Sequence, residues 1–144
     1  MKQLQIHHEK QLILLNYIFE PKKRINKPKL LQAVPNIKNM KVAITATGNT
    51  LESTLDTRFG RCAYFFIYDI ENKIMEFIPN TNVALDEGAG TASVQFVASR
   101  NVKKIISGEF GLKIKPILDS LKIQMIVLKN PEKKIKEIIE MLHR

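Results

Sequence analysis

The chain predicts an α/β fold, a five-stranded mixed sheet in the order 3-2-1-4-5 flanked by helices. Three observations lead there. An apolar, β-branched stretch runs from Met40 to Thr47 and stops at Gly48-Asn49-Thr50. Two further strand-like stretches, 63–70 and 73–80, are joined by the polar turn Glu71-Asn72-Lys73, the arrangement of a hairpin. Beyond residue 88, helical and strand-like segments alternate, as parallel crossover units do. Right-handed crossovers put strands four and five on one side of strand one, which leaves the other side to the hairpin.

Each element has its own signal. The loop 48–62 holds Thr54, Asp56, Thr57 and Gly60 and no sustained helical period. Pro79 marks the third strand as an edge, because proline cannot donate to a ladder. Ala89–Arg100 reads as a helix with Val94, Phe96 and Val97 turned inward. Residues 101–107 form the fourth strand, with Gly108-Glu109-Phe110-Gly111 as the loop at its C-terminal end. Ile114, Ile117, Leu118 and Leu121 have helical spacing, with Pro116 in the first turn. Residues 122–128 form the last strand. Asn130 as N-cap and Pro131 in the first turn then open a closing helix striped by Ile135, Ile138, Ile139 and Leu142.

Residues 1–39 read differently. Leu4, Leu12, Leu15 and Phe19 line one face of a short helix over about 5–19, and Pro21, Pro28 and Pro35 break any regular continuation. Eight Lys and Arg against two Glu give this segment +6 of the chain's +9, leaving +3 for the other 105 residues. It is a basic extension ahead of a domain at 40–144, with Met40 a candidate functional start. The other reading is a helical arm that packs on the domain or on a partner. Because the domain itself is only mildly basic, nucleic acid is a poor fit as a partner.

The 144 residues suit one domain with a proper core. No apolar stretch reaches the roughly 20 residues of a membrane span, and no small-residue cleavage site follows an apolar run near the N-terminus, so a signal peptide is not expected. A lone cysteine, Cys62, cannot close an intramolecular disulfide, which fits a reducing cytoplasm.

In such a sheet, ligands sit beyond the C-terminal ends of the parallel strands, where the strand order reverses. Three segments converge there: the exit of strand one, Thr45–Thr50, running on into 56–62; Glu87–Thr91; and Ser107–Gly111. Gly88-Ala89-Gly90-Thr91 opens a helix, so it offers free N–H groups and close backbone approach to an anion. It lacks the Lys-Ser/Thr of a P-loop and is no dinucleotide fingerprint. Arg58 and Arg61 would add charge-assisted contacts to the same anion, although each alone also reads as a solvated surface arginine. Cys62 is by default a small buried hydrophobe. A neighbouring arginine or helix N-terminus would instead favour its thiolate. His7, His8 and His143 lie at the chain ends and read as bystanders.

Catalytic constellations find no support. There is no Cys-x-x-Cys, no histidine ligand set, and no serine nucleophile with a histidine in the domain. Asp69, Asp86 and Glu109 form the one imaginable acidic metal set. Two-metal nuclease chemistry would also need a carboxylate on the first strand, which has none.

Several segments resemble the dinitrogenase iron–molybdenum cofactor biosynthesis family of NifX/NafY type. They are Met-Lys-Val-Ala-Ile at 40–44, Arg-Phe-Gly-Arg-Cys-Ala-Tyr-Phe-Phe-Ile-Tyr-Asp at 58–69, the stretch bearing Asn80, Gly-Ala-Gly at 88–90, Asn101–Gly111, and Leu121–Leu128. Phe-Gly-Arg-x-x-Tyr-Phe at 59–65 is the most specific. The resemblance implies a ribonuclease H-like fold without nuclease activity, in a protein that is not an enzyme. It implies binding and carriage of an iron–molybdenum or other iron–sulfur cluster, with apoproteins or cluster donors as partners, by a monomer or a homodimer. The candidate binding residues are Arg58, Phe59, Gly60, Arg61, Cys62, Gly88, Gly90, Thr91 and Gly108, with Cys62 the candidate metal ligand. Nitrogenase-associated members commonly have a histidine immediately before Phe-Gly; here that position is Arg58. One thiolate does not hold an iron–sulfur cluster in the four-cysteine manner. A cluster would therefore need two chains, a labile single anchor, or capture by Arg58, Arg61 and backbone amides. The rival reading is a metal-free regulatory or adaptor module for a small anion or a partner protein.

Overall fold

Alternating apolar strands set the architecture. The computed structural model describes residues 40–144, and the helix expected over 5–19 lies outside the described residues. Strands β1 (Lys41–Ala46), β2 (Tyr64–Asp69), β3 (Ile74–Pro79), β4 (Val102–Ser107) and β5 (Gln124–Val127) form one sheet in the order β3-β2-β1-β4-β5. β1 runs antiparallel to β2 and parallel to β4, β2 antiparallel to β3, and β4 parallel to β5. The predicted fold class and strand order hold.

Three helices follow the predicted positions: α1 (Ala89–Ser99), α2 (Ile114–Ser120) and α3 (Ile135–Leu142). Side chains alternate across each strand, so Ala43, Phe65, Ile67 and Ile105 share one core with Val94 and Val97 of α1 and Ile114 and Leu118 of α2. The intervening Val42, Ile44, Phe66, Tyr68 and Ile106 are buried as well, which makes the central strands apolar on both faces. β3 and β5 are the partly exposed edges.

Three local features depart from expectation. A 3-10 turn, Thr81–Ala84, follows β3, capped by the Asn80 side chain accepting from Asn82 N–H at 3.0 Å. The segment 51–55 pairs with 133–136: Leu55 N–H donates to Lys133 C=O at 2.9 Å, and Ile135 N–H to Ser53 C=O at 2.9 Å. Glu52 straddles that pairing with Lys134 and Lys136 at 2.8 and 2.6 Å; these two hydrogen bonds hold its carboxyl at about 2. Finally, Asn130 closes a local turn, its Oδ1 accepting from Glu132 N–H at 3.2 Å and its carbonyl from Lys133 N–H at 3.1 Å, so the expected N-cap is displaced. The helix starts at Ile135, and the Glu137 carboxylate reaches back to Lys134 N–H at 3.0 Å, as in half of a capping box.

Register puts the loops of the expected site at one end of the sheet. Ala46 lies opposite Tyr64, and Tyr64 opposite Pro79, so the β1 exit, the β2 start and the β3 exit all lie at the end where β4 finishes. Among the described residues, no helix is long and apolar enough to cross a membrane.

Candidate functional site

Close backbone approaches bring the three expected segments together. A Cβ on Gly60 would stand 2.8 Å from the Gly90 nitrogen and Cα, so the 58–62 loop lies directly on the first turn of α1. A Cβ on Gly108 would stand 2.6 Å from Thr57 Cα, which packs the β4 exit against the same loop. Arg58 and Glu109 pair as an isolated parallel bridge. Phe59 is buried and hooks the loop into the core, its ring 5.5 Å from Phe110 and 5.9 Å from Phe65.

Buried polar side chains hold this junction. Asp56 is 6% exposed, and its carboxylate accepts from Arg58 N–H at 3.1 Å and Ala63 N–H at 3.2 Å. Thr45 Oγ1 donates to Asp56 C=O at 2.6 Å and lies 3.1 Å from Ser107 Oγ, whose hydroxyl reaches Glu109 C=O at 3.3 Å. Asn80 Nδ2 donates to Gly60 C=O at 3.1 Å and Cys62 C=O at 2.9 Å. Sequence reasoning noticed Asp56 and Thr45 only as loop composition and strand end. Their partners lie across the sheet edge, beyond what a local pattern reveals.

The expected binding residues fare differently. Arg58 is well exposed, its side chain 57% accessible, with Nε 3.5 Å from Asp56. Arg61 is committed inward to the fold: its guanidinium donates to the carbonyls of Val83 (2.9 Å), Leu85 and Asp86 (3.2 Å). Those contacts pin the 81–86 segment. Gly88 is the N-cap of α1 in the left-handed region, φ 75°, with no side-chain cap bond and no acidic residue in the first turn. The first-turn amides of Ala89, Gly90 and Thr91 precede the first intrahelical bond, Ala92 N–H to Gly88 C=O at 2.9 Å. Thr91 is exposed there, and Gly90 is half-buried under Gly60.

Cys62 has no accessible surface and belongs to the apolar core. Burial, reinforced by the Asp56 carboxylate, pushes its thiol far above the usual thiol range, although an Asn80 contact at 3.7 Å and Arg58 pull the other way. Desolvation dominates. In this conformation the sulfur is a protonated core group, and the thiolate expected of a soft anchor is not formed. The imagined acidic set is also dispersed. Asp69 pairs in register with Lys41 at the opposite end of the sheet from Glu109 and caps the hairpin through Asn72 at 3.0 and 2.9 Å. No cluster of three or more metal-ligating side chains occurs among the described residues.

Residues 40–144 match the family model described as dinitrogenase iron-molybdenum cofactor. An uncharacterised protein of Methanocaldococcus jannaschii is 35% identical over 92 residues, spanning 62% of this chain and 75% of that protein. The apo form of the orange protein from Desulfovibrio gigas superposes with a TM-score of 0.67 at 25% identity, over 72% of this chain and 87% of that one. A Thermotoga protein named as a NifB candidate gives a TM-score of 0.62 at 29% identity, with the same coverages.

Proposed function

Given that the chain belongs to the dinitrogenase iron-molybdenum cofactor family, we propose that it is an accessory protein that binds and carries an anionic metal–sulfur cluster, an iron–molybdenum cofactor precursor or a related iron–sulfur or molybdenum species. The cluster is cargo, handed between donor proteins and apoproteins, and the protein catalyses no reaction on it. The observation that carries this reading is the junction itself. Gly60 packs on Gly90, and Gly108 on Thr57, so the loop that carries the exposed Arg58 lies against the uncapped first turn of α1. An anion there meets a cation, a helix N-terminus and bare backbone.

Capture is electrostatic in this reading. Arg58 and the first-turn amides hold the cluster, with Gly88, Gly90 and Thr91 at its edge. Phe59, the Arg61 guanidinium and Cys62 shape the surface from beneath. Weak, reversible holding of this kind suits a carrier better than an electron-transfer protein, whose cluster is fixed by several thiolates. The domain at 40–144 does this work, and the basic segment 1–39 is an extension to it.

Anaerobic reconstitution with iron, sulfide and molybdate, read by metal content and visible absorption, tests the proposal. Arg58→Ala should lower cluster affinity by roughly tenfold or more, as loss of a hydrogen bond to a charged group does. The wild type's affinity should also fall as salt is raised. A folded wild type that takes up no metal would instead support a metal-free adaptor for a small anion, the reading that the burial of Cys62 favours.

A further inference from the structure

Six polar side chains are buried among the described residues: Thr45, Asp56, Asp69, Asn80, Ser93 and Ser107. Asp69 caps the distant hairpin. Ser93 Oγ has no hydrogen-bond partner. The other four all hydrogen-bond to the backbone or side chains of the loops at the candidate site. Burying a polar group is costly unless it is paired, so this concentration makes the shape of that edge a specified feature.

Asn80 holds the most telling position. It is 4% exposed, and both ends of its amide are used: Oδ1 accepts from Asn82 N–H, and Nδ2 donates to the carbonyls of Gly60 and Cys62. Its own N–H donates to Ala63 C=O at 3.0 Å. The carbonyl and N–H of a trans peptide point in opposite directions. Drawing the Gly60 carbonyl down onto Asn80 therefore turns the Arg61 N–H away from the buried amide. Drawing the Cys62 carbonyl down turns the Ala63 N–H to Asp56.

We propose that Asn80 is a positioning residue for anion capture: by clamping two carbonyls of the 58–62 loop beneath the surface, it aims the Arg61 backbone N–H at the bound anion. This deepens the proposed function and rests on it. Arg61 thus contributes through its main chain, while its guanidinium pins residues 83–86.

The test uses tetrathiomolybdate, a diamagnetic molybdenum–sulfur anion, with the full chain as wild type, Asn80→Ala and Asn80→Asp. The aspartate keeps the shape but sets a carboxylate against two carbonyls. Folded variants should bind about tenfold more weakly, the factor that about 1.4 kcal/mol represents. In the wild type, adding the anion should shift the Arg61 backbone amide resonance. Binding by either folded variant within about twofold of wild type overturns the inference and leaves the carrier reading standing. So does wild-type binding with an unmoved Arg61 amide, a check that needs no variant to fold. Failure of the folded wild type to bind both this anion and a reconstituted cluster removes the carrier reading, and the inference with it.

Discussion

Arg61 and Cys62 are adjacent, and the same steric fact decides both: Phe59 and Cys62 turn into the core, so the chain between them must run along its surface. From there Arg61 reaches the carbonyls of 83–86, and the Cys62 sulfur is sealed among aromatic and aliphatic groups. A sealed, protonated thiol should be inert. Alkylation of Cys62 by iodoacetamide at neutral pH is expected to be negligible in the native protein and complete after denaturation, as mass spectrometry would read. Rapid native alkylation would show that the loop opens and would restore the thiolate as a candidate ligand. Neither fate was legible locally. A cysteine at a strand start between charged residues and aromatics fits either role, and Arg61's partners lie 22 to 25 positions away in sequence.

At the scale of elements, the junction tolerates some changes and not others. Gly60→Ala drives a methyl against the rigid backbone of α1. We expect it to cost about 2 kcal/mol or more, in the range of overpacked sites. Gly111→Ala meets only Ile114 at 3.7 Å and should be near neutral. Lys122, which ends α2, adopts φ 57°. Glycine pays no Cβ penalty in that region, so Lys122→Gly should stabilise by about 0.5–1 kcal/mol. Urea unfolding of the three variants checks the order. If Gly60→Ala proved as mild as Gly111→Ala, the contact between the 58–62 loop and α1 would be looser than described. Strand order was legible because a hairpin followed by crossover units allows few topologies. The 3-10 turn and the pairing of 51–55 with 133–136 were not. The first depends on a single asparagine cap, and the second joins segments some eighty residues apart.

For the whole molecule, composition misleads unless it is divided. The chain's +9 resides mostly in residues 1–39, and the domain that matches the family is close to balanced. The anion capture we propose therefore rests on local geometry: one exposed arginine, one uncapped helix start, and a loop edge fixed by Thr45, Asp56, Asn80 and Ser107. The three loops meet as the sequence predicts, and their chemistry depends on partners across the sheet edge that no local pattern shows. In the function we propose, the cluster is held at the surface by charge and backbone amides, without a sulfur ligand from the protein. The most direct test is anaerobic reconstitution of wild type and Cys62→Ser side by side, measuring iron and molybdenum per folded chain. We predict equal uptake, because the Cys62 sulfur is buried in the core. Loss of the cluster from a folded Cys62→Ser protein would overturn surface capture and make Cys62 the anchor.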